Sequence, residues 1–218
     1  MSSREKYLEE LSSGRYTHVV GADECGFGSW AGPLVVCAAA VPVTWVPPRG
    51  LNDSKKLRPA KRNEIFDLHR DRVPYKATLA QSSEIDRDGV IQALKRCYRE
   101  SLQALLEKFP QSLVVLDGEV KLPELEHLNF PKADGIVPAV MVASVFGKVI
   151  HDRYMVELAK KYPGYGFGQH MGYGTPEHQE AIAKLGLCPI HRRSYIGGER
   201  LKTAEQIRAA EDPGLAVD

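Results

Sequence analysis

Apolar residues along this chain recur with two spacings, and segments of the two kinds alternate. Residues 17–22 (THVVGA) form a β-branched run that predicts a strand ending near Asp23. Residues 33–43 are small and β-branched and predict a second strand. Residues 43–57 are broken by Pro47, Pro48 and Gly50 and predict a loop. Residues 59–72 carry helical spacing, with Pro59 suited to a first turn. Residues 75–81 predict a third strand. Over 85–109, Val90, Leu94, Cys97, Leu102 and Leu105 fall on one face, so a single amphipathic helix is expected. Residues 113–116 are wholly apolar, as a buried central strand requires. Helices are expected over 138–159 and 175–185. Between them, 162–174 is rich in glycine and aromatics and predicts a surface loop. Residues 1–16 read as a polar arm or short helix. Residues 197–218 read as a tail, either unstructured or a short amphipathic helix through Leu201, Ile207 and Ala210. Strands first, then strands alternating with helices, predict one mixed α/β domain over 17–196.

Composition narrows what this domain does. The chain has 218 residues, enough for a core of its own, and 43% of them are hydrophobic. Lys plus Arg is 29 against 28 Asp plus Glu, a net charge of +1. That excludes a strongly basic nucleic-acid binder and an acidic tail protein, but it leaves room for a basic groove. The charge is in fact segregated. Residues 53–76 hold eight Lys/Arg against four acids, and residues 100–127 hold six acids against two Lys. The basic stretch and the loops between His170 and Arg193 are expected to flank such a groove. The longest apolar run, 34–43, is far short of the ~18 residues of a membrane span. The N-terminus is polar and has no signal-like apolar region. The four cysteines lie far apart with no CxxC pair, which predicts buried thiols in a reducing, cytoplasmic setting.

Four acids stand at strand ends or helix starts. Asp23 and Glu24 follow VVGA, Asp117 follows VVL, and Asp134 precedes the helix opening near Val137. Such positions are where an α/β sheet builds its crevice. Carboxylates converging there repel unless a hard cation sits among them, and Mg²⁺ is the natural choice. Each acid also has a local explanation. Asp117-Gly118 suits a hairpin turn, Asp134 suits a helix N-cap, and Asp23 and Glu24 point to opposite faces as strand neighbours. The glycine-rich segment Gly26–Pro33 suits close backbone approach to a phosphate. Its spacing is not that of a dinucleotide fold, and a β-branched run follows where a helix would be needed. There is no P-loop, GxSxG or HExxH.

Several segments carry a family resemblance. GADECGFGSWAGP (21–33), LNDSKKL (51–57), Glu84-Ile85-Asp86, Leu116-Asp117-Gly118, Lys132-Ala133-Asp134 with Ala143-Ser144 and Gly147-Lys148, YPGY (162–165), GYGTPEH (172–178) and HRRSY (191–195) occur in order. They resemble the motifs of the ribonuclease HII family, in register from Thr17 to Tyr195. The resemblance implies an RNase H-like fold, a central mixed sheet flanked by helices, with a C-terminal helical or loop extension. It implies a Mg²⁺- or Mn²⁺-dependent endonuclease that cuts the RNA strand of RNA–DNA hybrids and ribonucleotides embedded in DNA, leaving 3′-hydroxyl and 5′-phosphate ends. The family's metal-binding acids fall on Asp23, Glu24, Asp117 and Asp134. Substrate contacts fall on Gly26, Phe27, Gly28, Lys55, Ser144, Lys148 and Tyr173, and the protein is expected to be a cytoplasmic monomer. Two readings compete: a hybrid-binding protein of the same fold without activity, and another RNase H-like nuclease.

One departure stands out. The family loop usually reads Gly-Arg-Gly, whereas Phe27 occupies its centre here. The backbones of Gly26 and Gly28 can still reach a ribose 2′-hydroxyl, but a guanidinium–phosphate contact is lost. Weaker selectivity for an RNA-to-DNA junction is therefore expected. His151 also stands where the family often has Arg.

Overall fold

The computed structural model describes residues 2–52 and 54–196. Its order is α1 (Ser3–Ser12), β1 (His18–Cys25), β2 (Leu34–Pro42), α2 (Pro59–His69), β3 (Tyr75–Ala80), α3 (Ser82–Asp88), α4 (Val90–Leu106), β4 (Ser112–Asp117), β5 (Leu128–Phe130), α5 (Pro138–Lys161), α6 (Phe167–His170), α7 (Pro176–Leu185) and α8 (Arg193–Ile196). The expectation for the tail at 197–218 lies outside the described residues.

The five strands form one mixed sheet in the order β3-β2-β1-β4-β5. β1 pairs antiparallel with β2, and β2 with β3. β1 pairs in parallel with β4, and β4 with β5. The parallel register sets Ala22 opposite Leu116, so Asp23 and Asp117 leave adjacent strands side by side. Because β4 continues to a parallel partner, Asp117-Gly118 does not form a hairpin turn.

Strand alternation divides the core into two layers. Val19, Cys37, Ala39 and Val115 face α5, where Val140, Ala143 and Phe146 cover them. Val20, Ala22, Val36, Ala38, Val114 and Leu116 face α4, packed on Leu94, Tyr98, Leu102 and Leu105. Both faces are covered, which is why β1, β2 and β4 read as near-continuous apolar runs. Gly21 lets α5 approach β1 closely: a Cβ there would lie 2.2 Å from the Val140 nitrogen.

The helix expected over 85–109 is two helices. Gly89, at φ +81, separates α3 from α4. The 162–174 segment is not a surface loop. Tyr165 and Phe167 are buried with Ala31, Met155, Ala181 and Cys188 in a third cluster, and residues 167–170 form α6. All of Cys37, Cys97 and Cys188 are buried, and no disulfide forms.

Candidate active site

Three carboxylates meet at the carboxyl ends of β1 and β4. One oxygen each from Asp23, Asp117 and Asp134 lies within 4.8 Å of the other two. Asp23 is on the α5 side of β1, sharing a face with Val19 and Gly21. Asp117 shares a face with Val115 and accepts a 2.7 Å hydrogen bond from the Ala133 backbone. Asp134 sits in a 3₁₀ turn at Ala133–Gly135, entered through Lys132 at φ +65, and is 5% exposed. That turn leads directly into α5. The helix-cap explanation for Asp134 does not hold, because the residue at the α5 cap is Val137, with no side-chain cap bond.

Glu24 is placed differently. As the strand neighbour of Asp23 it faces the α4 layer, where the Tyr98 hydroxyl donates to its Oε2 at 2.8 Å. It remains electrostatically close to the trio. Burial pushes the Asp23 carboxyl up to about 8, and the charges of Glu24 and Asp117 push the same way. Hydrogen bonds from Ser144 and from the Glu24 N–H oppose this shift. Glu24 is also raised, first by burial, against the pull of the Tyr98 bond and the Lys55 charge. A group of oxygen donors this crowded fits a hard divalent cation, whose charge would offset the mutual repulsion of the carboxylates.

The remaining candidates surround this cluster. Ser144, buried on α5, has its hydroxyl 2.9 Å from that of Ser54, which can donate to it while Ser144 turns its own proton to Asp23. Lys55 is exposed on the 3₁₀ turn Ser54–Lys56 with its charge directed toward Glu24. Lys148 binds Asp152 at 2.7 Å, one α5 turn away. Asp152 also receives Arg62 at 3.5 Å. Part of the basic stretch is therefore internal. The buried Arg62 side chain holds the Ser54 and Leu57 carbonyls instead of facing outward.

The glycine segment runs along one rim. Gly26 has φ +80, and a Cβ on it would lie 2.6 Å from His151 Nε2, so only glycine fits. Gly28 is exposed. The Phe27 side chain is 38% exposed, while its carbonyl accepts from Arg192 at 2.9 Å and from the Tyr195 hydroxyl at 2.8 Å. A cleft of about 440 Å³ opens beside Glu24 and Phe27, with Ile91, Leu94, Lys95 and Val120 on its walls. Tyr173, 38% exposed, reaches over the same segment, where a Cβ on Gly28 would lie 4.0 Å from its ring.

Sequence reasoning gave no role to three supporting residues, two of which, Asp86 and Arg192, lie inside its motif segments. Tyr98 lies four residues after Leu94 on the buried α4 face, which was the available signal. Asp86 accepts from Arg193 N, Ser194 N and Ser194 Oγ and so seats α8, which follows Arg192. Arg192 is fully buried, donating to the Gly32 and Phe27 carbonyls. Neither pairing can be read without the fold.

A mixed sheet with three carboxylates converging at the ends of two adjacent parallel strands is a scaffold for a divalent-cation site. The model of the ribonuclease HII family matches residues 20–197. Ribonuclease HII of Geobacillus kaustophilus is 38% identical over 204 residues, 93% of this chain and 77% of that protein. Ribonuclease HII of Thermus thermophilus is 41% identical over 178 residues, 81% of this chain and 85% of that protein. The ribonuclease HII from Archaeoglobus fulgidus, solved in complex with PCNA, superposes with a TM-score of 0.67. It is 26% identical, and the match covers 87% of this chain and 96% of that one. The chain belongs to the ribonuclease HII family, whose members are metal-dependent endonucleases of the ribonuclease H type.

Proposed function

We propose that this protein cleaves the RNA strand of RNA–DNA hybrids, and ribonucleotides embedded in duplex DNA, leaving 3′-hydroxyl and 5′-phosphate ends. The observation that carries this reading is the convergence of Asp23, Asp117 and Asp134 beside an exposed glycine backbone and an exposed tyrosine. Asp23, Asp117 and Asp134, with Glu24 alongside, would hold Mg²⁺ or Mn²⁺. The cation supplies Lewis-acid polarisation of water and of the scissile phosphodiester.

The chain's own groups do the rest. Ser144 and the Glu24 N–H steady the Asp23 carboxylate. Tyr98 fixes one Glu24 oxygen and leaves the other available. The Gly26 and Gly28 backbones approach the ribose 2′-hydroxyl, which marks the nucleotide as RNA. Tyr173 offers a ring face to the neighbouring sugar, and Lys55 and Lys148 offset phosphate charge. Phe27 presents an apolar ring to the cleft instead of a guanidinium. The protein acts as a monomer in the cytoplasm. No helix among the described residues is long and apolar enough to cross a membrane.

The test is cleavage of a duplex carrying one ribonucleotide, and of the matching all-DNA duplex, with Mg²⁺, with Mn²⁺ and with chelator. A metal-dependent cut at the ribonucleotide alone is expected. Cutting of the all-DNA duplex, or metal-independent cutting, overturns the reading.

A further inference from the structure

Behind the tyrosine loop lie two buried histidines that the proposed reaction does not use. His178 on α7 is 0% exposed, and His191, just before α8, is 2% exposed. Their Nε2 atoms are 3.1 Å apart. His178 Nδ1 lies 2.9 Å from the Tyr173 carbonyl oxygen. His191 Nδ1 lies 2.9 Å from the Cys188 backbone nitrogen and 3.2 Å from the Cys188 carbonyl oxygen.

The Tyr173 end sets the protons between them. A carbonyl only accepts, so neutral His178 carries its proton on Nδ1 and its Nε2 is bare. The facing His191 Nε2, 3.1 Å away, then donates to it, which leaves His191 Nδ1 bare to accept the Cys188 N–H in preference to bonding the Cys188 carbonyl. One proton sits in the central bond.

We infer that His191 and His178 form a one-way hydrogen-bond relay, from the Cys188 N–H to the Tyr173 carbonyl, that positions the tyrosine loop toward the substrate and holds only while both rings are neutral. This inference rests on the proposed substrate contact of Tyr173. A further proton on either ring would set two N–H groups against each other at 3.1 Å, or remove an acceptor. The loop has little other freedom. The Gly172 carbonyl accepts from Trp30 N at 2.8 Å and from Ala31 N at 3.2 Å. A Cβ on Gly172 would lie 2.2 Å from the Ala31 oxygen. The relay thus holds the Tyr173 carbonyl beside the Gly172 contacts, and His178 and His191 are positioning residues.

The surroundings favour neutral rings. His170 stacks on His178 with centroids 4.5 Å apart, and Phe167 meets both His178 and His191. Tyr165 packs edge-on to His191 at 5.1 Å, and Trp30 lies 6.0 Å from His178. The titratable groups facing the pair are His170, Tyr165 and Cys188, with Glu177 of α7 lying toward His170. Burial pushes both rings down to about 4, and the neighbouring His170 acts in the same direction.

Long-range ¹H–¹⁵N imidazole spectra of the whole wild-type protein at pH 7 read the tautomers directly. His191 is expected as the Nε2–H form and His178 as the Nδ1–H form; either opposite tautomer, or a charged ring, overturns the relay. Kinetics on a single-ribonucleotide duplex test its consequence. His191→Leu is expected to raise KM about tenfold with kcat within twofold. His191→Gln, whose amide N–H can replace the Nε2 donor, is expected to restore most of the loss. In a Tyr173→Ala background, His191→Leu is expected to change KM no further. An unchanged KM in His191→Leu overturns the positioning role. An unchanged KM in Tyr173→Ala alone, with the tautomers as stated, removes Tyr173 from the substrate contact and the functional half of the inference with it.

Discussion

Replacing Gly21 with alanine probes how β1 and α5 jointly place the acids. Gly21 precedes Asp23 by two residues on the same strand face, directly beneath the first turn of α5. An added Cβ would lie 2.2 Å from Val140 N, 2.5 Å from Ala139 C and 2.8 Å from Ala139 Cβ. All three are backbone or backbone-fixed atoms, so no rotamer change relieves the clash. Restoring an ordinary 3.4 Å contact from 2.2 Å requires α5 to retreat by roughly 1.2 Å. Overpacking of this kind costs about 1–3 kcal/mol. For a chain of this size that lowers Tm by about 2–4 °C per kcal/mol.

The same retreat carries Ser144 away from Asp23, and α5 is entered directly from the turn that holds Asp134. A misplacement of about 1 Å at a reacting centre costs roughly 100-fold in rate. Urea unfolding gives the stability change. Cleavage of a ribonucleotide-containing duplex, at a temperature where both proteins are folded, gives the rate change. A Gly21→Ala protein within 0.5 kcal/mol of wild type and cutting within twofold of it would refute the argument that close β1–α5 contact sets the site.

Other outcomes follow from the same geometry. Phe27→Arg should place a guanidinium at the rim of the cleft beside Glu24, raising the preference for a single embedded ribonucleotide over a long hybrid by about tenfold. It should also steepen the salt dependence of binding by about one phosphate contact; fluorescence anisotropy across a salt series checks both. Asp86→Ala removes the acceptor of three bonds at the start of α8 and should cost about 1–2 kcal/mol, read by urea denaturation. His178 and His191 resist protonation when folded, with pKa values of about 4 against the usual 6.5. The unfolded chain therefore binds more protons between those values. The contribution of this pair to stability should be complete above pH 6.5 and fall by up to about 1.4 kcal/mol per histidine per pH unit below it, levelling near pH 4, while the raised Asp23 carboxyl acts in the opposite direction over the same range. A stability difference between wild type and His191→Leu that stays constant from pH 6.5 to 4.5 would contradict this.

The strands that build the site were legible because burial on both faces leaves β1, β2 and β4 almost wholly apolar. The acids were legible as residues at the ends of those runs, but their convergence was not. It depends on the parallel β1–β4 register and on a left-handed Lys132, which local pattern does not encode. The split between Asp23 and Glu24 follows from strand alternation alone, yet the partner that makes it matter, Tyr98, lies 74 residues away in sequence. β5, three residues with only Phe130 buried, carries no readable period. The helical pattern continues across Gly89 and hides the break there, which only the backbone conformation reveals. The 162–174 segment misled because glycine suggested exposure. Its glycines instead allow backbone to press against backbone, as at Gly172 and Ala31, while Tyr165 and Phe167 fill a core of their own. The near-zero net charge likewise concealed an internal use of cations, with Arg62 and Arg192 both committed to backbone carbonyls.

The central claim is that Asp23, Asp117 and Asp134 act together on a cation beside the scissile bond. Asp117→Asn tests it most directly, because asparagine keeps the Oδ1 acceptor for the Ala133 N–H and removes only the charge. Binding of a single-ribonucleotide duplex and its cleavage in Mg²⁺ and Mn²⁺ are measured on the same preparation. Binding within about threefold of wild type with cleavage lowered at least ~100-fold is expected. Full turnover by Asp117→Asn would contradict the account.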